Sequence, residues 1–445
     1  MLCQEKHQLL SRLAKEFNLL GFADLKVGKL VDQAIKNAGR DNKRACALLP
    51  RFIVWLVIAM ALHRNRSIVD VFELLVASFK VRLPKLRRGL ISEEAIYHAR
   101  KRLGVLPLKY LFRALRPARS EIAPSFFGLR TYGIDGTHFN MPDTPKNRQL
   151  FRGHLSQYRP SSFPQMHAVF LMELSRRRLM DCCFMPCLNR ENKAVPHLLK
   201  QLGEGDLLIV DRGIFSLKAI KLCKERDVRF LFRTKSSWKP KRLKQQGAGD
   251  YLVMPRGYKS VLRLIEFRVG DSKKVFRLVT DLLDPKAYPA AKLALEYHER
   301  WECEIGFKEI KCELMTPQGS KPQTHFRSRS PIGVLQEAWG LAIAHSFIRD
   351  RIAEAIGTKV SPKSISFVKS RQTIDANLFL WLSVPDRSPE FKELMLADIC
   401  RCAHDRAKRC RQYPRVVKRR PQRFKLKKDH HVEQWLTITP RFEAA

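Results

Sequence analysis

The run Asp206-Leu-Leu-Ile-Val-Asp211 constrains the fold more than any other stretch of the chain. Its unbroken apolar row, closed by an acid on each side, lacks the alternation of a strand with one wet face. It predicts a short central strand covered on both faces. The neighbouring sequence agrees. Residues 131–140 predict a strand ended by Pro142-Asp-Thr-Pro145. Residues 166–174 and 179–185 flank Ser175-Arg-Arg-Arg178 and predict a hairpin. A helical stretch near 197–202, a helix over 216–226 and a strand over 228–233 complete the pattern. Antiparallel strands followed by β-α-β units imply an α/β fold, a mixed sheet with helices on its faces.

The regions on either side read differently. Residues 1–120 are helical in texture, with apolar residues at helical spacing through Leu9, Leu13 and Phe17, and again through Val69, Phe72, Leu75 and Val76. The apolar run 52–62, flanked by Arg51 and His63, is too short for a membrane span and predicts a buried helix. Ser92 followed by Glu93 and Glu94 marks a helix start. The Arg100-Lys101-Arg102 cluster on that helix reads equally as a DNA-contacting face or a solvated one. Residues 235–285 lose helical period and carry short β-like runs, an insertion that returns to the core near Leu278. Helical texture resumes near 290, and another helix is expected over 333–355. The stretch 406–428 is dense in Lys and Arg and holds no acid, which reads as a solvated tail or a polyanion contact.

Charge narrows the function. With 84 Lys plus Arg against 43 Asp plus Glu, the formal net charge is +41. Such a surplus repels itself in a compact state, and a polyanion relieves it. Nucleic acid is the leading partner. The basic C-terminal run is broken by Pro414 and Pro421, so it makes no amphipathic helix for a membrane surface. The eleven cysteines follow no regular frame and the amino terminus has no signal-peptide layout, so a reducing cytoplasm is expected. Cys182, Cys183 and Cys187 read as small core residues. Cys400, Cys402, His404 and Cys410 match no paired zinc spacing, so metal there is the weaker of two readings.

Three carboxylates carry the candidate chemistry. Asp135 and Asp211 each close an apolar strand before a turn at Gly136 or Arg212-Gly213. Acids at the rim of a central sheet stand where α/β proteins place ligands. A turn-capping role is the plainer alternative. Tyr297, Arg300, Glu304 and Lys311 fall within about 60° of one another on a helix turning about 100° per residue. Cys303, Phe307, Ile310 and Leu314 form an apolar stripe beside them, able to pack on the sheet. The plain reading of the first stripe is an exposed helix with an Arg300–Glu304 pair.

Tyr297-x2-Arg300-x3-Glu304-x6-Lys311 resembles the Y-R-E-K signature of DDE transposases of the insertion sequence four family. The resemblance extends in order along most of the chain. Arg102-Leu-Gly104 matches in the helical region, and Ile134-Asp-Gly136 with Pro142-Asp-Thr-Pro145 and Asn147 resembles the first-aspartate segment. Phe163-Pro-Gln165 is similar to the segment before the next strand. Asp211-Arg-Gly-Ile-Phe-Ser216 resembles the second-aspartate motif, with Ile214 where an aromatic is usual, and Pro414-Arg-Val-Val-Lys418 matches near the end.

The resemblance implies a ribonuclease-H-like mixed sheet core with a β-rich insertion, preceded by an all-α region. The implied division is a helical DNA-binding region 1–120, core 121–234, insertion 235–275, core 276–375 and a basic region 376–445. It implies that Asp135, Asp211 and Glu304 ligate two Mg²⁺ ions, with Mn²⁺ able to substitute, and that Tyr297, Arg300 and Lys311 contact DNA phosphate. The implied activity is cleavage at the ends of a mobile element and joining of 3′-hydroxyls to target DNA. Double-stranded DNA (terminal inverted repeats and target) is the implied partner, with a dimer in the synaptic complex and a nucleoid-associated place in the cytoplasm. The alternatives are a nuclease of the same fold without strand transfer, and a non-catalytic DNA-binding derivative. Trp238, in a basic segment, reads either as a base-stacking residue or as ordinary packing.

Overall fold

The computed structural model of the chain describes residues 26–41, 48–77, 91–153, 163–269, 275–316, 325–357, 360–383 and 388–403. The described residues all belong to one compact unit. His404, the basic run 406–428, Cys410 and Pro414–Lys418 lie outside the described residues.

The described N-terminal region is helical: α1 (Lys26–Asn37), α2 (Pro50–Leu62), α3 (Ile68–Ala77), α4 (Glu93–Leu103) and α5 (Leu106–Ala114). In α2 every residue from Phe52 to Leu62 is buried, as an apolar run without a polar stripe requires. Ser92 caps α4, its hydroxyl accepting from the Ala95 amide at 3.2 Å. Arg100 departs from both readings of its cluster. It is buried and donates to Gln336 Oε1 at 3.1 Å and Ser328 Oγ at 3.2 Å, so it ties this region to the later chain.

Strands β1 (Arg130–Asn140), β2 (Gln165–Glu173), β3 (Arg178–Pro186), β4 (Asp206–Val210) and β5 (Arg229–Arg233) form the core sheet. Three helices intervene: α6 (Pro145–Phe151), α7 (Val195–Leu198) and α8 (Leu217–Lys224). The described strands continue with β6 (Lys241–Gly247), β7 (Asp250–Met254), β8 (Leu262–Phe267) and β9 (Phe276–Thr280). Their order is β3-β2-β1-β4-β5-β9-β8-β7-β6. The β1–β4 and β4–β5 pairs are parallel and the others antiparallel. This is the ribonuclease-H-like mixed sheet. The strands after β5 extend the core sheet through β9 rather than forming a separate one, because Leu231, Phe232 and Arg233 pair with Thr280, Val279 and Leu278.

All of β4 is buried. Leu207 and Ile209 face one core, Leu208 and Val210 the other. On the first face lie α9 (Ala290–His298), α10 (Trp301–Lys308), a π-helical turn Glu309–Leu314 and α11 (Pro331–Ile356). Helices α12 (Phe367–Ser383) and α13 (Ser388–Cys400) pack on α11. Since α11 also packs on α2 and β3, it is the spine shared by the helical region and the sheet.

Candidate active site

The register of the sheet builds the site. β1 and β4 pair in parallel as far as Ile134↔Val210, so Asp135 and Asp211 are the next residues on the two strands. Asp211 follows the end of β4. Asp135 does not end its strand, contrary to the expectation: β1 runs on to Asn140 because β2 continues to pair with it. Asp135 thus sits where β1 loses one neighbour and keeps the other, which opens the carboxyl to the rim.

Helix α10 approaches on the face toward which Asp135 points. Gly133, two residues before Asp135 on the same side of the strand, permits this: a Cβ there would lie 2.5 Å from Cys303 Sγ. Arg300 joins the acids, donating from Nη1 to Asp135 Oδ2 at 3.2 Å and from Nη2 to Glu304 Oε1 at 2.8 Å. The Tyr297 hydroxyl donates to Asp211 Oδ1 at 3.2 Å, and Arg233 Nη1 reaches the same oxygen at 3.4 Å. Arg300 is 9% exposed and Glu304 41%, so the pair runs from the buried floor to solvent.

The charges are under tension. Burial raises the Asp135 carboxyl to about 6, with Glu191 and Glu304 adding repulsion against the pull of Gly136 and Arg300. Burial would lower Arg300, but its bond to Glu304 and the acids around it raise it. Burial and the Asp211 charge push the Tyr297 phenol up, so it stays a donor.

A single stripe on one helix does not describe the arrangement. The chain turns at Glu299–Arg300 between α9 and α10, then widens into the π turn. Tyr297, Arg300 and Glu304 meet at the aspartates. Lys311 does not. It lies in the π turn about 10 Å further along, with Nζ 5.1 Å from the Phe139 ring centre, and burial lowers its pKa. The apolar stripe of Cys303, Phe307, Ile310 and Leu314 is buried.

The back of α10 is fastened by a separate set of charges. Arg177, in the β2–β3 turn, pairs with Glu302 and reaches Glu309 at 3.1 Å. Glu309 also takes His345 Nε2 at 2.9 Å and Arg349 Nε at 3.0 Å from α11. Burial alone would raise Glu309, but Arg349, His345 and Arg177 bring it down to about 2.

Trp238 packs edge-on against Phe215 at 5.2 Å and is partly buried, as ordinary packing requires. Cys182 and Cys187 are buried, and Cys183 partly so. Cys402 is buried and donates to the Asp398 carbonyl, whereas Cys400 is exposed. Sequence reasoning missed Arg233, Glu191 and His167. Arg233 carried a signal, a cation ending the strand next to β4. The other two carried none.

A model of the insertion element 4 transposase N-terminal domain matches residues 18–113, and a model of the transposase DDE domain matches residues 127–347. Together they span well over half of the chain. The chain belongs to the insertion sequence four family of DDE transposases. The transposase InsG for insertion sequence element IS4 of Escherichia coli (strain K12) is 27% identical over 418 residues, 89% of this chain and 91% of that one. The putative transposase InsZ of the same organism is 26% identical over 168 residues, 37% of this chain and 54% of that one. Among solved structures, a piggyBac transposase synaptic complex with hairpin DNA matches at a TM-score of 0.44 and 13% identity, covering 87% of this chain and 82% of that one. As a DDE transposase the protein is an enzyme of DNA cleavage and strand transfer. No described helix is long and apolar enough to cross a membrane.

Proposed function

We propose that Asp135, Asp211 and Glu304 are the catalytic carboxylates of this transposase. The supporting observation is their convergence: register neighbours on β1 and β4, with Arg300 bonded to both Asp135 and Glu304. Carboxylate oxygens are the donors Mg²⁺ prefers, and Mn²⁺ takes the same set. Among the described residues, no three His, Cys, Asp or Glu side chains stand close enough to hold one ion in this arrangement. The guanidinium of Arg300 supplies the positive charge between Asp135 and Glu304 instead, which marks the place as one that favours a cation. The donor set therefore fits. Asp135, Asp211 and Glu304 would hold the ions, whose chemistry there is to activate the attacking oxygen and stabilise the leaving one.

The remaining groups act on DNA. Arg300 and Arg233 offer guanidinium forks suited to phosphate, and the Tyr297 hydroxyl adds a neutral donor. Lys311 serves the strand further from the cut, consistent with its place beside Phe139. The helical region 1–120 and the basic region 376–445 bind the terminal inverted repeats and target DNA. The core spans 121–234 and 276–375, with 235–275 as the β-rich insertion. Two copies pair in the synaptic complex, at the nucleoid.

Strand transfer is the test. A pre-cut element end with a free 3′-hydroxyl is incubated with plasmid, the protein and Mg²⁺. Joined product is expected. Asp135→Asn, Asp211→Asn and Glu304→Gln should each give no joined product, and joining by any of the three would overturn the proposal.

A further inference from the structure

A fourth carboxylate stands at the aspartates on the opposite face of the sheet from Glu304. Side chains alternate along β1, so Gly136 faces away from α10. A Cβ on Gly136 would lie 2.6 Å from Glu191 Oε1 and 2.6 Å from His167 Nε2. A Cβ on Gly213, two residues after Asp211, would lie 3.5 Å from Glu191 Oε2. The Glu191 carboxylate therefore spans the two glycines that follow the two aspartates, one oxygen toward each. It comes from a short helical turn, Glu191–Lys193, between β3 and α7, and its side chain is 27% exposed.

The second observation is independent of the acids. His167 is only 5% exposed, yet its Nε2 has no hydrogen-bond partner within bonding distance among the described residues. That nitrogen points at Glu191 Oε1 from 3.8 Å. The other, Nδ1, is held by the Asn189 carbonyl at 2.6 Å, and His138 stacks on the ring at 4.3 Å. A buried imidazole fixed on one side and open on the other is a group built to face something. A polar ligand reaching the Gly136–Gly213 cradle would satisfy it.

We propose that Glu191, backed by His167, engages the attacking hydroxyl, which is water in cleavage and the 3′-hydroxyl in joining. The inference rests on the catalytic assignment of Asp135 and Asp211. In-line displacement needs the attacking and leaving oxygens on opposite sides of the phosphorus. The sheet rim supplies two flanks. The Glu304 flank carries Arg300, Tyr297 and Arg233, donors that suit the charge on a leaving oxygen. The Glu191 flank carries an acceptor. In the step, the hydroxyl's O–H bond breaks as its oxygen bonds phosphorus, and the proton goes to Glu191. The bond from phosphorus to the leaving oxygen breaks, and that oxygen takes a proton from solvent. Glu191, itself 27% exposed, then returns its proton to solvent.

The experiment is single-turnover cleavage of duplex DNA carrying the element end, with end binding and melting temperature measured on each variant. Glu191→Gln should slow cleavage about 100-fold with binding and melting unchanged. Glu191→Ala should be slow in the same way, and added formate, a free carboxylate able to enter the vacated space, should restore part of its rate. Cleavage by Glu191→Gln within about threefold of the parent, or an Ala variant slow but indifferent to formate, would overturn the proposal. If the Gln variant fails to fold, the Ala variant and formate decide alone. Asp135→Asn run in parallel separates the failures: an active Asp135 variant condemns the catalytic assignment, whereas an inactive one beside an active Glu191→Gln condemns only this inference.

Discussion

Glu302 and Glu304 lie two residues apart on α10 and face opposite demands. Glu302 is buried on Arg177, and nearby Glu309 is surrounded by Arg177, His345 and Arg349. Glu304 is 41% exposed, with Arg300 shared between it and Asp135. Glu309 on one side and Asp135 on the other titrate in opposite directions, Glu309 down to about 2 and Asp135 up to about 6. Neutralised charge on the back of the helix anchors it. Under-neutralised charge on the front costs stability, the pattern expected of a site that binds something else.

The largest expected effect separates these roles. Asp135→Asn and Asp211→Asn should each reduce strand cleavage by about 1000-fold or more, while their melting curves stay cooperative. If either melts far below the parent, the front of the helix is structural after all. Glu309→Ala should do the reverse, lowering stability by about 3–5 kcal/mol because three cationic or polar partners are left buried. Denaturant titration measures this.

The pH dependences should carry opposite signs. Glu309 folds with its carboxyl below the ordinary 4.5, so its contribution is complete above pH 4.5 and is lost as pH falls toward 2. Asp135 is raised above the ordinary 3.8, so its penalty grows as pH rises from about 4 to about 6 and stays at neutrality. Asp135→Asn should therefore be more stable than the parent at pH 7, on the order of 1–3 kcal/mol, and nearly equal to it at pH 4. A stability gain that is the same at both values would contradict the sign.

Smaller effects sharpen the front face. Arg300→Lys keeps one charge but loses the fork that reaches both Asp135 and Glu304, and cleavage should fall about tenfold. Trp238→Ala should leave cleavage within about threefold of the parent and lower stability through the lost contact with Phe215. A specific loss at the cut end would restore the stacking reading.

Much of this was legible in sequence because burial writes itself as composition. The apolar runs of β4 and α2 could only be interior, and the spacing of Tyr297, Arg300 and Glu304 brought three residues to one place. The rest depends on partners distant in the chain. Arg100 is buried because Gln336 and Ser328 receive it, which its own helix cannot announce. Lys311 stands apart from the aspartates because it lies further along the helix, in the π turn that begins at Glu309, beside Phe139 of β1. The strand over 131–140 was legible, but Asp135 closes only its apolar half, because pairing with β2 carries the strand on to Asn140. Glu191 was invisible because the evidence for it is missing side chains, Gly136 and Gly213.

The most direct test is Mg²⁺-dependent cleavage of an element end by Glu304→Gln, beside gel-shift binding to the same DNA. Cleavage should disappear while binding persists, as the proposed catalytic role of Glu304 requires. A Glu304→Gln protein that still cuts would contradict the account.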